Sequence, residues 1–217
     1  MKAYKAAIIV LLILLVDQGT KFWVKTHMMI GQEIHVTNWF IINFVENPGM
    51  AFGMVLPGIW GKLFLSVFRL VAVTGGIWFL RRIIKKGEHW GFVTAVSLIL
   101  AGAIGNMIDG TLYGIIFNDS YHQVATLFPK EGGYSGWMQG LVVDMVQVKL
   151  YSGRNFEFFP FIFNVADSAI TVGVFIILLF QGVFFKEAKP ETNSSTETNS
   201  TTDTTTTVEV TPPTTES

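Results

Sequence analysis

The sequence predicts an α-helical integral membrane protein, with four transmembrane helices and a small β-sheet on the outer membrane surface. Three observations carry that expectation. Four apolar segments approach the ~20 residues a helix needs to cross a bilayer. Their basic flanks alternate from one side to the other, as the positive-inside rule requires. The stretch between the first two segments is rich in β-branched and aromatic residues, the composition of short strands.

Composition narrows the function classes. Half of the 217 residues are hydrophobic and 14% are charged, too apolar a balance for an ordinary soluble domain. A net charge of −1 leaves no basic field for nucleic acid. The absence of cysteine excludes disulfides, thiolate nucleophiles and zinc–sulfur sites. His27, His35, His89 and His122 are scattered without ligand spacing, so we expect no bound metal.

The first span is expected over residues 6–24. Lys2 and Lys5 before an apolar run imitate a signal peptide. No clean small-x-small site follows, and Asp17 to Lys21 run on into Phe22-Trp23-Val24, so a retained helix is expected. Residues 25–58 form an outer loop in which Glu33-Ile-His-Val and Trp39-Phe-Ile-Ile-Asn-Phe-Val read as strands, with a turn at Asn47-Pro-Gly49. A sheet there offers an edge to an extended peptide. The second span, 59–80, leads into Arg81-Arg82-Ile-Ile-Lys85-Lys86, the densest basic run, expected as a cytoplasmic loop over 81–89. The third span covers 90–108. A second outer segment, 109–159, contains the apolar run Gly140-Leu-Val-Val-Asp-Met-Val-Gln-Val, which suits a strand or a short interfacial helix. The fourth span covers 160–184. Residues 1–187 are thus expected to form one membrane domain with both termini cytoplasmic. Residues 188–217 read as a disordered, Thr- and Ser-rich cytoplasmic tail.

Four polar clusters interrupt this apolar chain, and each carries an aspartate: Asp17, Asp109, Asp144 and Asp167. A charge within hydrocarbon costs roughly 2.5–3.5 kcal/mol on insertion scales, so such residues are kept for use. At ~1.5 Å per residue, Asp17 lies roughly 18 Å along the first span, in the outer half of the bilayer. Lys21 follows one turn later on the same face and suits either a structural ion pair or direct chemistry. Asn106 and Asp109 share a face at the outer end of the third span, as Asn164 and Asp167 do in the fourth. The small residues Ala101-Gly-Ala-Ile-Gly105 allow close helix packing.

In order, these clusters resemble the bacterial lipoprotein signal peptidase (signal peptidase II) family. The matching elements are Asp17-x-x-Thr-Lys21, Asn47-x-Gly-x-Ala-Phe-Gly53, Gly102-Ala-Ile-Gly-Asn-Met-Ile-Asp109, Val142-Val-Asp144 and Phe163-Asn-Val-Ala-Asp-Ser-Ala-Ile-Thr-Val-Gly173. The resemblance implies a monomeric intramembrane aspartic endopeptidase, without cofactor, in the bacterial cytoplasmic (inner) membrane. It would remove signal peptides from diacylglyceryl-modified prolipoproteins, cutting before the lipidated cysteine, at a site near the outer leaflet. Its partners would be those substrates and the membrane lipids. Carried over by position, the catalytic pair is Asp144 and Asp167. Asp17, Lys21, Asn47, Gly49, Asn106, Asp109, Asn164 and Ala166 match supporting or substrate-binding positions.

The chain departs from the family's pattern in three places. Gly110 stands where arginine usually follows the Asn-x-x-Asp, Met145 replaces a usual phenylalanine, and a long segment, Thr111 to Val143, precedes Asp144. That segment introduces the further acids Asp119 and Glu131. Its aromatic residues and Gly132-Gly133 and Gly136 suit a flap over the substrate or an appendage resting on the membrane. Two other functions fit parts of this pattern. A proton-coupled carrier would spread polar groups through both leaflets. A docking factor would use the sheet edge but leave both Asn-x-x-Asp faces unexplained.

Overall fold

The computed structural model describes residues 3–48, 58–149, 151–153, 156–158 and 161–185. Its elements run α1 (Ala3–His27), β1 (Glu33–His35), β2 (Phe40–Asn47), α2 (Gly58–Lys86), α3 (Trp90–Ile108), a π-helical turn (Asp109–Tyr113), α4 (Gly114–Ile116), β3 (Val142–Val148), β4 (Tyr151–Gly153), β5 (Phe156–Phe158), β6 (Ile162–Phe163) and α5 (Val165–Phe184). Among the described residues, four helices are long and apolar enough to cross a membrane. Helix α3 is the centre of the bundle and packs against α1, α2 and α5. Leu11, Leu15, Phe64, Phe68, Phe175 and Leu179 point outward, as a lipid-facing surface requires.

Two stretches differ from their sequence expectation. The basic run 81–86 continues α2, and the connection to α3 is only Gly87 to His89. Arg and Lys are good helix formers, and cations in a last turn complement the peptide dipoles. Gly87, at φ 76°, then ends the helix. The fourth helix begins at Val165, not at residue 160. Ile162 and Phe163 instead pair with Gln147 and Val146 of β3. Asn164 caps α5 through a capping box with Asp167, each side chain accepting from the other's backbone N–H. Hydropathy alone cannot separate apolar strand residues from the apolar helix they precede. Gly49, the Ala51-Phe-Gly53 stretch and the 188–217 tail lie outside the described residues.

The expected outer sheet is four-stranded, in the order β1-β2-β3-β6, with antiparallel neighbours. The run ending at Val148 is therefore a strand. The register of β2 against β3 shifts between Ile42 and Val45, where β2 carries one extra residue. This bulge sets Val45 opposite Asp144. Asn47, two residues beyond Val45, then lies on the same face as Asp144; an unbulged register would send it to the other face.

Two apolar clusters hold the elements. One joins the helices through Ala6, Val73, Leu80, Ile83, Phe92, Val93, Val96 and Leu100. The other packs the sheet on the end of α1 through Val24, Met28, Phe44, Val143 and Met145. Tyr113, Phe117 and Ala125 of the long segment belong to that second cluster. Lys25 Nζ donates to Ser120 Oγ at 2.8 Å, pairs with Glu46, and lies 4.7 Å from the Tyr134 ring centre. The base of the segment is therefore part of the core, while Tyr121, Phe128 and Trp137 stand out from it, exposed. This favours the appendage over a freely moving flap.

Candidate active site

The polar clusters converge at one end of the bundle, where α1, α3 and α5 meet β3. Helix approach there depends on small residues. A Cβ at Gly102 would run into the Ala166 carbonyl oxygen, and one at Gly105 would come within 2.5 Å of Asp17 Oδ2. The small-residue stripe thus serves helix packing, and it also makes room for a buried carboxylate.

Asp17, Lys21 and Asp109 are fully buried. Lys21 Nζ lies 3.0 Å from Asp17 Oδ2 and 2.8 Å from Asp109 Oδ2, so one ammonium bridges two carboxylates. It also donates to Asn106 Oδ1 at 2.9 Å. Asp17 Oδ1 accepts the Ala166 N–H at 2.8 Å, and Asp109 Oδ2 accepts the Val143 N–H at 3.2 Å. These bonds tie the start of α5 and the residue before Asp144 to the ion cluster. Asp109 begins the π-helical turn, whose wider ladder lets α3 leave its regular course at this point.

Asp144 and Asp167 approach this frame from opposite sides. Asp144, on β3, is 3% exposed. Its Oδ1 accepts from Asn164 Nδ2 at 2.7 Å and its Oδ2 from Asn47 Nδ2 at 3.0 Å. Asp167, in the first turn of α5, is half-buried. Its Oδ1 accepts from Asn106 Nδ2 at 2.8 Å and its Oδ2 from the Asn164 N–H at 3.4 Å. Asn164 Nδ2 also lies 3.1 Å from Asn106 Oδ1, closing a chain from Asp144 through Asn164 and Asn106 to Asp167. Burial pushes the Asp144 carboxyl up to about 7; the charge of Asp167 adds to the rise, and the Asn47 and Asn164 amides oppose it.

Of the residues singled out in the sequence, Asp17, Lys21, Asn47, Asn106, Asp109, Asp144, Asn164, Ala166 and Asp167 enter this network. Asp119 and Glu131 do not; they are exposed and line a separate polar depression with Asn118 and Gln123. The 1.5 Å-rise picture missed Gln18. Its Nε2 donates to Asp17 Oδ2 at 3.0 Å, the Gly105 carbonyl at 3.2 Å and Asp109 Oδ1 at 2.9 Å, and Tyr113 Oη donates to its Oε1 at 3.3 Å. Its place inside the Asp17–Lys21 cluster was the available signal, but pairing residues at four-residue spacing passed over it. Arg69 was missed too. It is a charge inside an apolar span, and the signal that marked the aspartates applied to it equally.

The chain matches the family described as signal peptidase (SPase) II over residues 9–184. It is 48% identical over 186 residues to the lipoprotein signal peptidase of Porphyromonas gingivalis, with 80% of each chain covered. The lipoprotein signal peptidase of Amoebophilus asiaticus is 33% identical over 196 residues, covering 82% of this chain and 78% of that one. A bacterial membrane enzyme solved by the in meso method at 1.9 Å resolution superposes with a TM-score of 0.58 at 26% identity, covering 86% of this chain and 96% of the other.

Proposed function

Because the chain belongs to the signal peptidase II family, we propose that Asp144 and Asp167 are the catalytic pair with which it removes signal peptides from prolipoproteins. The observation that carries this assignment is the hydrogen-bonded chain Asp144–Asn164–Asn106–Asp167. Asp17 and Asp109 are already engaged by Lys21, which leaves Asp144 and Asp167 for chemistry.

Their surroundings divide the roles. Asp167 sits in the first turn of α5, where peptide dipoles favour an anion, and its oxygens accept from two donors. It serves as the base and takes a proton from the attacking water. Asp144, raised to about 7, carries the proton that hydrogen-bonds the scissile carbonyl. Attack forms the C–O bond of a tetrahedral intermediate whose oxyanion takes up the Asp144 proton. Collapse breaks the C–N bond as one hydroxyl of the intermediate returns a proton to Asp144 and Asp167 gives its proton to the leaving amine.

The substrate class follows as diacylglyceryl-modified prolipoproteins cut before the lipidated cysteine, by a single chain. Burying acyl CH₂ groups contributes about 0.8 kcal/mol each, so the lipid would dominate substrate binding. In this reading both termini lie in the cytoplasm and the site is at the outer leaflet. Supporting this, Lys5 of α1 and Trp90 of α3 line one groove at the end of the bundle away from the carboxylates. A proton-relay function has less support, since an apolar cluster around Val73, Val93 and Leu100 packs the helices away from the carboxylates.

The test is cleavage of a lipidated prolipoprotein by the purified chain, beside the same peptide without its diacylglyceryl group. Asp144→Asn and Asp167→Asn should each lose at least ~10²-fold in turnover while remaining folded, because each removes a group that handles a proton. Near-normal turnover by either variant would remove that residue from the pair. Equal cutting of lipidated and bare peptide would overturn the substrate class.

A further inference from the structure

Arg69 stands on α2, half-buried, inside a helix otherwise suited to lipid. A Cβ at Gly110 would come within 3.0 Å of Arg69 Nη1, so the guanidinium occupies the space beside residue 110. The resemblance expects arginine at that position. One turn before Arg69, Ser66 is buried and its hydroxyl donates to the Met138 carbonyl at 2.7 Å, which ties this face of α2 to the segment beyond the π-helical turn. The carboxyl groups of Asp109, Asp167 and Asp144 act on the Arg69 charge.

We propose that Arg69 is a positioning residue of the peptidase reaction, delivering from α2 the guanidinium that Gly110 leaves out of α3. Its role rests on the assignment of Asp144 and Asp167 as the catalytic pair. The charge balance gives the physical reason. Asp17, Asp109, Asp144 and Asp167 bring four negative charges to one end of the bundle, and Lys21, shared between Asp17 and Asp109, neutralises one of them. Lys25 is occupied by Glu46. Arg69 supplies a second cation, which leaves the catalytic pair with one proton and one charge. Without it, the excess negative charge near Asp109 would disfavour ionisation of the pair and leave less of its base in the ionised form at a given pH. The charges that act on Arg69 are those of Asp109 from the π-helical turn, beside whose neighbour Gly110 the guanidinium lies, Asp144 from β3 and Asp167 from α5, and Lys21 of α1 bridges Asp109 to Asp17.

The geometry also shows how to move the charge back. Gly110 is not among the glycines with positive φ, so space rather than backbone strain limits its side chain. Removing Arg69 opens that space.

The test compares Arg69→Gln, Arg69→Lys, Arg69→Ala and the double variant R69A/G110R, in the purified full chain with a lipidated prolipoprotein. Turnover, KM and melting temperature are read across pH. Arg69→Gln should lower kcat by at least ~10-fold, the scale on which a lost electrostatic contact at a reacting centre acts. It should move both limbs of the pH profile upward by about one unit, because removing a nearby cation disfavours the charged carboxylates. Arg69→Lys should keep the limbs near their original pH, and R69A/G110R should recover most of the kcat lost in Arg69→Ala. Unchanged kcat and profile in Arg69→Gln would overturn the proposal, as would a kcat loss with unmoved limbs. So would a double variant no better than Arg69→Ala, which also decides the matter if Arg69→Gln does not fold. Asp167→Asn runs alongside. If it stays active, the catalytic pair itself is wrong; if it is dead while Arg69→Gln is normal, only the role of Arg69 fails.

Discussion

Asn164 Nδ2 lies 2.7 Å from Asp144 Oδ1. The same side chain caps α5, its Oδ1 accepting the Asp167 N–H at 2.8 Å. One amide therefore fixes a strand carboxylate and registers the helix that carries the other. Asn164→Ala should lose about 1 kcal/mol of stability as a lost cap. It should lose about 10²-fold in kcat, because small misplacements at a reacting centre cost that much. Parallel thermal melts and turnover measurements separate the two. A variant with the stability loss but normal kcat would reduce Asn164 to a helix cap.

The Asp144 carboxyl gives a signed pH dependence. Its value rises from 3.8 unfolded to about 7 folded, so between those values the folded state holds a proton that the unfolded state has released. Stability from this group is greatest at low pH and is lost as pH rises through that window. Asp144→Asn has no such proton. Its melting temperature relative to the natural chain should therefore climb from about pH 4 to about pH 7 and level off above. Turnover of the natural chain, which uses that proton, should fall above about pH 7. A stability difference that is flat with pH would show that Asp144 is not held protonated.

Lys21 is the shared partner of two fully buried carboxylates. Lys21→Met keeps the length of the side chain and removes the charge. Breaking a buried pair from one side costs about 3–5 kcal/mol, since the remaining charges lose their counter-ion. A large drop in melting temperature is expected, and adding Asp109→Asn to Lys21→Met should recover part of it. A melting temperature within experimental error of the natural chain would contradict a charged Lys21 at this position.

The long segment before β3 is expected to act as structure. Replacing residues 118–133 by a short Gly/Ser bridge removes Ser120, which bonds Lys25, and the buried Ala125. The unmade hydrogen bond at buried Lys25 alone costs roughly 1–3 kcal/mol. The melting temperature should fall, and kcat at a temperature where the variant is folded should change little. Lost turnover at an unchanged melting temperature would restore the flap.

The sequence by itself determined the four spans, the small sheet and the order of the aspartate clusters. These are written in local signals: apolar length, basic flanks, β-branched runs and three- or four-residue spacing. It placed Asn106 with Asp109 and Asp17 with Lys21 because each pair lies within one turn of one helix. Only the tertiary structure decided how those pairs combine. Lys21 reaches Asp109 on another helix, and Asn164 reaches Asp144 across the β3–α5 junction. Asn47 faces Asp144 through a bulge that shifts the β2 register, and a period-two pattern does not reveal such a shift. Gln18 joins Asp17 to Asp109 on another helix, a contact that spacing within one helix does not reveal. Local periodicity shows which side chains share a face; which faces meet depends on close helix approach and strand register, which the whole folded chain sets.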